Sequence, residues 1–355
     1  MTIRVGIIGA SFAREAYLPA LRTIDDVELV AIASARLSSA QSAADQFGIP
    51  QVYDDWGRMI GEHEFDLICI ATPTVFHAPM TLEALKAGAH VLCEKPMAMN
   101  TDESAEMLET ADALGKLHII GHELRFNPNR RKIKSLIDSG AIGDVRHVSI
   151  HNVSASWGDP ASRPAGDWWS RDDMGGGRLG ASGSHMIDLL RFWLGDIGAV
   201  SGQVATMVPE RVDSESGAPW RATADDQFSF TAEMRNGALC SVFVSGVGRH
   251  SAGNQTQIFG AEGTIMLADN DEKLLVARAE EDFQDMSLRD PNADLPGIGS
   301  GIWNVSFVAL MEELTAAIRE GRQLTWGATF DDGHQCQIAM DALRKSSSTR
   351  RWVTL

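Results

Sequence analysis

Ile3-Arg-Val-Gly6-Ile-Ile-Gly9-Ala10-Ser11-Phe12-Ala13-Arg14 opens with a short apolar strand, passes through a glycine turn and enters a helical pattern. Such a start suggests a dinucleotide-binding fold, in which the turn after the first strand brings backbone amides to a pyrophosphate. Only Gly9 keeps its place in the strict Gly-x-Gly-x-x-Gly pattern, with Ser11 and Arg14 at the other two positions. Ser11 still lets the backbone approach a phosphate, and its hydroxyl adds a donor. Gly9, Ala10, Ser11, Phe12 and Ala13 are therefore the expected phosphate-side residues. Alone this pattern is weak, and a plain strand–turn–helix reads the same way. Its position at the head of an alternating β/α pattern strengthens it.

Apolar runs at Ile3–Gly9, Val27–Ser34, Asp66–Thr72, His90–Cys93 and Leu117–Gly121 alternate with helical spacing at 38–48, 76–88 and 101–115. That alternation predicts a parallel sheet with crossover helices over residues 1–122. Val27-Glu-Leu-Val-Ala-Ile-Ala-Ser is nearly continuous apolar, as a strand buried on both faces should be. Pro19 inside the first helical pattern should kink that helix or mark its first turn.

From Asp144 the pattern changes to short strands joined by turns, at 145–154, 199–207, 227–235, 238–246, 255–260 and 264–267. Asn236-Gly237 is a hairpin signal between two of them. Helices are expected at 128–139, 184–194, 304–320 and 333–346. Residues 123–355 are thus expected to form a second, α+β domain with a large open, mostly antiparallel sheet. The stretch 155–183, rich in Gly, Pro, Asp and Trp, is longer than a connector needs, and such loops are usually functional.

With 355 residues the chain suits two domains. A net charge of −17 argues against nucleic acid or an anionic membrane as the main partner. The four cysteines are scattered and form no Cys-x-x-Cys pair, so neither a metal site nor a disulfide framework is expected. Arg4, the apolar run and Ala13 superficially mimic a secretory signal, but the run is too short and reads as the first strand. No stretch approaches ~20 apolar residues, so no membrane span is expected and the cytoplasm is the default setting.

Three further blocks carry chemistry. Glu94-Lys95-Pro96 follows the strand at 90–93, which puts an ammonium at the carboxyl end of a sheet strand, where open α/β sheets bind ligands. Together with the glycine turn, it reads as a redox enzyme. Ala33-Ser34-Ala35-Arg36-Leu37-Ser38 ends the second strand with no acid to bind a ribose 2′-hydroxyl. Ser34 and Arg36 suit a 2′-phosphate instead, which favours NADP over NAD; the alternative is an Arg36 that is simply solvated. Ala71-Thr72-Pro73 with His77 closes another strand, where it is expected to cap the pyrophosphate or the nicotinamide ribose. Gly175-Gly-Gly-Arg-Leu-Gly-Ala181-Ser-Gly183-Ser184-His185-Met-Ile-Asp188 is the third block. Ser184 reads as a helix N-cap, so His185 falls in a first helical turn, where the dipole disfavours imidazolium. Asp188 reads as structural.

On these motifs the whole chain resembles the glucose–fructose oxidoreductase/inositol dehydrogenase/MocA family. Arg125-Phe126, Gly140-x-Ile-Gly143 and the ending Ala328-Thr-Phe-Asp-Asp-Gly333 with Arg351-Trp-Val353 add to the likeness. The resemblance implies an NAD(P)-binding Rossmann domain followed by an α/β domain with a large open sheet. It further implies oxidation of a sugar or cyclitol hydroxyl, or the reverse reduction, with Lys95 and His185 catalytic. Glu94, Lys95 and Trp168 join the cofactor residues, and Arg125 and Trp168 join Lys95 and His185 on the substrate side. Two positions depart from the family pattern. Ala181 stands where the family has an aspartate four residues before the histidine, and Trp169 stands where many relatives follow the tryptophan with arginine. The expected function is an NADP-dependent (NAD being the alternative) dehydrogenase or reductase of a carbohydrate-like alcohol or ketone, working as a homodimer or tetramer. The rival expectations are a non-catalytic NADP-binding sensor and a cofactor-assisted glycosidase or lyase.

Overall fold

In the computed structural model, which describes residues 2–251, 253–268 and 273–355, the chain divides into two compact units. The first comprises Met1–Asn127 and Asp290–Gln335, the second Pro128–Arg289 and Cys336–Leu355. The expected single cut between 122 and 123 therefore misses the return of residues 290–335 to the first unit.

The first unit is built on a six-stranded parallel sheet. β1 (Ile3–Ile8) leads through the short helices α1 (Ser11–Glu15) and α2 (Tyr17–Leu21) to β2 (Val27–Ala33). Then come α3 (Leu37–Phe47), β3 (Gln51–Tyr53), α4 (Trp56–Glu62), β4 (Leu67–Ile70), α5 (His77–Lys86), β5 (His90–Cys93), α6 (Thr101–Ala113) and β6 (His118–Ile120). The strand order is β3-β2-β1-β4-β5-β6. This order reverses direction between β1 and β4, and a crevice opens beyond the carboxyl ends of strands at such a point. Gly48, with φ +71°, caps α3 in the left-handed conformation. Pro19 sits in the first turn of α2, and the chain breaks at Ala16 (φ −123°, ψ −57°) to place it there.

β3 and α4 escape the sequence reading. Three strand residues carry too little alternation to register, and the N-cap Asp55, which accepts the Arg58 N–H at 3.0 Å, is the one local signal for α4.

The second unit begins with α7 (Pro128–Asp138), β7 (Val145–Val153), α8 (Ser184–Leu194) and β8 (Ile197–Ala205). A small hairpin, β9 (Glu210–Val212) and β10 (Pro219–Arg221), stands apart from the main sheet. β11 (Gln227–Met234), β12 (Leu239–Ser245), β13 (Gln255–Gly260), β14 (Gly263–Ala268), β15 (Lys273–Arg278) and β16 (Gln284–Asp285) complete the run. α9 (Ile302–Glu320), α10 (Phe330–Thr349) and β17 (Val353–Thr354) end the chain. The nine-stranded sheet has the order β16-β15-β14-β13-β7-β12-β11-β8-β17 and is antiparallel except where β12 runs parallel to β7. Along each central strand the residues alternate between buried and half-exposed: Val148, Ile150, Val200, Phe228, Phe230, Cys240 and Val242 face the core. The β11–β12 hairpin uses Asn236-Gly237 within a three-residue loop. Met234 N–H bonds the Ala238 carbonyl at 2.9 Å, and Gly237 alone takes a positive φ, of +90°.

In the first unit α9 explains the return of 290–335. Its Phe307, Val308, Met311 and Leu314 are buried in the same core as Ile3, Ile7, Tyr17 and Leu21. Trp303 stacks on Phe12 at 5.8 Å, and Phe307 meets Tyr17 edge-on at 5.1 Å. Burying a side chain of this size is worth roughly 1.5–3 kcal/mol, so a helix of several such residues holds the segment firmly. Among the described residues no helix is long and apolar enough to cross a membrane.

Candidate active site

Gly9 is the pivot of the first unit. Its N–H bonds the Ala33 carbonyl at 2.9 Å, and the Ala71 N–H bonds the Ile8 carbonyl at 2.7 Å, so the ends of β1, β2 and β4 are tied together there. Its φ is +98°, and a Cβ on it would lie 2.2 Å from the Ala71 carbonyl oxygen. Only glycine allows that approach. The turn leads straight into α1, whose first-turn amides, from Ser11 to Ala13, have no acceptors within the helix. That backbone fits a dinucleotide pyrophosphate. The Phe12 side chain does not face such a ligand, because it packs among Tyr17, Trp303 and Phe307 at 5.7–5.8 Å. Phe12 can serve a cofactor only through its backbone. At the end of β2, Ser34 donates its N–H to Tyr53 O at 3.1 Å, and Arg36, exposed, heads α3, its carbonyl accepting the Ser39 and Ala40 N–H groups while its guanidinium has no hydrogen bond or ion pair among the described residues.

The loop after β5 presents Lys95, and three buried groups define its setting. The Tyr17 hydroxyl donates to Glu94 Oε1 at 2.6 Å. Glu94 Oε2 accepts the Lys95 N–H at 3.2 Å and lies 3.8 Å from Lys95 Nζ. Burial pushes the Glu94 carboxyl up, while Lys95 and the Tyr17 hydrogen bond pull it down. Burial and the adjacent carboxylate hold the Tyr17 phenol well above its usual range, so it stays a donor. Gly121 makes the room, since a Cβ there would fall 2.5 Å from Glu94 Oε1. Glu94 was expected to touch the cofactor; its carboxylate is buried and committed to Tyr17 and Lys95, so it orients the lysine. Tyr17 escaped the sequence reading because nothing local separates it from the other apolar positions of its helix.

His77 is also corrected. It was expected on the cofactor, yet it is fully buried, with Nδ1 2.9 Å from the Pro96 carbonyl and Nε2 2.9 Å from the Thr72 carbonyl. Burial lowers its pKa. It bridges the loop carrying Thr72 and Pro73 to the loop carrying Lys95, whose bond to Pro96 is cis. Arg125 is not a free substrate ligand either. Its buried guanidinium pairs with Asp332 through two contacts, 3.1 and 3.2 Å, tying the turn at 123–126 to the start of α10.

In the second unit the long stretch 155–183 is ordered by the β9–β10 hairpin. Val212 N–H bonds the Pro160 carbonyl at 3.1 Å, and Asp213 accepts the Ala165 N–H at 2.6 Å. Backbone donors from Ala165, Glu215 and Ser216 hold the Asp213 carboxyl down at about 2. Trp168 stacks on Trp169 at 3.9 Å in a turn headed by Asp167. Gly176 is required beneath them, because a Cβ there would sit 2.4 Å from the Trp168 carbonyl oxygen.

His185 is buried near the start of α8, but Ser184 is no N-cap. Residues Leu179–Gly183 form a π-helical turn that continues into α8, and the Ser184 hydroxyl donates back to the Gly180 carbonyl at 2.6 Å. His185 is therefore not in the first turn of a free helix end, and the expected dipole effect on it has no basis. π-helical turns of this kind cluster at functional sites. Ala181 lies inside that turn.

The comparisons agree with this architecture. Residues 3–122 match the model of the oxidoreductase family with an NAD-binding Rossmann fold, and residues 130–266 match the GFO/IDH/MocA C-terminal domain. The chain is 27% identical to levoglucosan dehydrogenase of Pseudarthrobacter phenanthrenivorans, over 99% of this chain and 97% of that protein. It is 34% identical to D-glucoside 3-dehydrogenase of Escherichia coli over 54% of each. The solved complex of levoglucosan dehydrogenase with NADH and L-sorbose superposes with a TM-score of 0.90 at 26% identity, covering 100% of this chain and 99% of that one. The chain belongs to the GFO/IDH/MocA family of oxidoreductases.

Proposed function

We propose that this protein is an NADP-preferring dehydrogenase or reductase acting on a secondary alcohol or ketone of a carbohydrate-like substrate. The observation that carries the reading is the pair of loops in the first unit: a glycine turn closed against Ala71, and a lysine oriented by the buried Tyr17–Glu94 pair. The sugar class rests on the relatives named levoglucosan and D-glucoside dehydrogenase. Gly9, Ala10, Ser11, Phe12 and Ala13 hold the pyrophosphate through their backbone, and Ala71, Thr72 and Pro73 line the neighbouring turn. Trp168 is assigned beside the cofactor and substrate. A bound nicotinamide supplies the hydride acceptor or donor. Lys95 stabilises the charge that develops on the substrate oxygen, and His185 exchanges the hydroxyl proton, directly or through a water. The test is NADP(H) and NAD(H) turnover against levoglucosan, methyl glucosides, myo-inositol and 3-ketosugars. Oxidation or reduction of at least one is expected; cofactor binding with no turnover would favour the sensor.

Cofactor choice has its own test. Ser34 and Arg36 follow β2 in a stretch, 33–38, that contains no acid, so NADPH should bind at least tenfold more tightly than NADH, about 1.4 kcal/mol. Arg36→Ala should erase most of that gap. Equal affinities in the wild type would reverse the assignment to NAD.

The sheet of the second unit supports a homodimer. The half-exposed Ser149, Ser201, Thr231 and Ser241, with the exposed His151 and Gln203, form a face on its central strands, opposite the buried one. An open sheet face of this kind suits a second copy, and a stable interface buries ~1,200–2,000 Å². Sedimentation at micromolar concentration should show a dimer or tetramer; a monomer would refute it.

A further inference from the structure

Asp225 stands just ahead of β11, buried within the second unit. Its Oδ2 accepts the Leu179 N–H at 2.8 Å, and its backbone carbonyl accepts the Arg178 N–H at 2.9 Å. The fit on its other side is as tight. A Cβ on Gly177 would lie 2.3 Å from Asp225 Oδ1, and Gly177 has φ +110°. Leu179 is the first residue of the π-helical turn, so Asp225 holds the start of the segment that carries His185 six residues on. Burial raises the Asp225 carboxyl to about 6, while the Leu179 N–H and Arg344 favour its charged form. The far end of the turn is packed just as closely: a Cβ on Gly183 would meet Leu179 Cδ1 at 2.9 Å and Phe228 Cζ at 3.0 Å. Ala181, inside the turn, has no carboxylate with which to orient His185.

We infer that Asp225 is a positioning residue for His185, fixing through the Leu179 N–H the π-helical turn that sets where the imidazole stands. This rests on the proposed role of His185 in proton exchange. Misplacing a reacting group by about 1 Å can cost ~100-fold, so the effect should be visible in turnover while cofactor affinity is spared.

The test uses the full chain with His185→Ala, Asp225→Ala, Asp225→Asn, Asp225→Ser and the double variant His185→Ala/Asp225→Ala. Asp225→Ala should lower kcat with the best alcohol of the sugar panel by about 10–100-fold, leaving the KM for NADP within about twofold. Asp225→Asn keeps an acceptor for Leu179 and should recover most of the loss, whereas serine, too short to reach, should not. In the His185→Ala background, Asp225→Ala should add little, because both act on one proton transfer. Amide exchange of Leu179–Met186 should quicken in Asp225→Ala while that of β1–β6 stays unchanged. This readout needs no substrate, and slow exchange kept in Asp225→Ala overturns the inference. If the alanine variant fails to fold, the asparagine–serine contrast decides. Equal losses in the two, or full additivity in the double variant, would make Asp225 merely structural. If His185→Ala turns over like wild type, the role of His185 falls and this inference with it. A crippled His185→Ala beside an unaffected Asp225→Ala overturns the inference alone.

Discussion

Lys95→Ala should lower kcat by ~10²–10⁴, about 3–5.5 kcal/mol of transition-state stabilisation, while NADPH still binds nearly as in the wild type. The expectation follows from how the lysine is held. Glu94, fixed by the Tyr17 hydroxyl at 2.6 Å, presents a carboxylate 3.8 Å from Nζ, and the backbone of Lys95 bonds that same carboxylate. The protein thus orients the ammonium before substrate arrives, and a pre-oriented charge avoids reorganisation cost in the transition state. Stopped-flow turnover and a fluorescence titration of NADPH separate the two effects. His185→Ala should cost less than Lys95→Ala, since position 181 supplies no carboxylate to raise the basicity of the imidazole. Wild-type turnover in Lys95→Ala would remove the lysine from the mechanism.

Gly9→Ala is expected to be the most damaging single substitution in the cofactor turn. The new Cβ would stand 2.2 Å from the Ala71 carbonyl oxygen, at a φ of +98° that L side chains rarely adopt. The left-handed backbone alone costs roughly 1–2 kcal/mol, and the clash forces β1 and β4 apart at the point where the crevice opens. NADPH affinity should fall at least ~100-fold, and the melting temperature should drop as well. Gly48→Ala serves as the control: it carries a similar strain at φ +71°, but no atom lies within 4 Å of its Cβ. It should lose stability and keep its cofactor affinity. Equal affinity loss in both variants would mean that the Gly9 effect is unfolding rather than a blocked site.

The β/α alternation, the Glu94-Lys95-Pro96 loop and the change to short strands after Asp144 are legible in the sequence because each rests on periodicity or on a residue type with few uses. Some features are not legible, for reasons that can be named. Tyr17 and Asp225 act on residues 77 and 46 positions away, so no local window contains both partners. His77 and Arg125 carry groups that look functional, and only the fold shows these engaged with backbone carbonyls and with Asp332. Ser184 looks like an N-cap because Ser before a helical run usually is one; the π-helical turn in front of it removes the helix end that a cap would serve. The return of residues 290–335 to the first unit leaves no trace in local pattern, because α9 is a conventional apolar helix whose partners lie near the N-terminus.

The central claim is that hydride passes between nicotinamide and a carbohydrate-like carbon on this protein. Mass spectrometry of the product formed from a 3-ketosugar and NADPH deuterated at C4 tests it most directly. One deuterium per molecule at the reduced carbon, formed by the wild type and lost with Lys95→Ala, is the predicted result. Product without label, or conversion of sugar with no net NADPH consumed, would contradict the account.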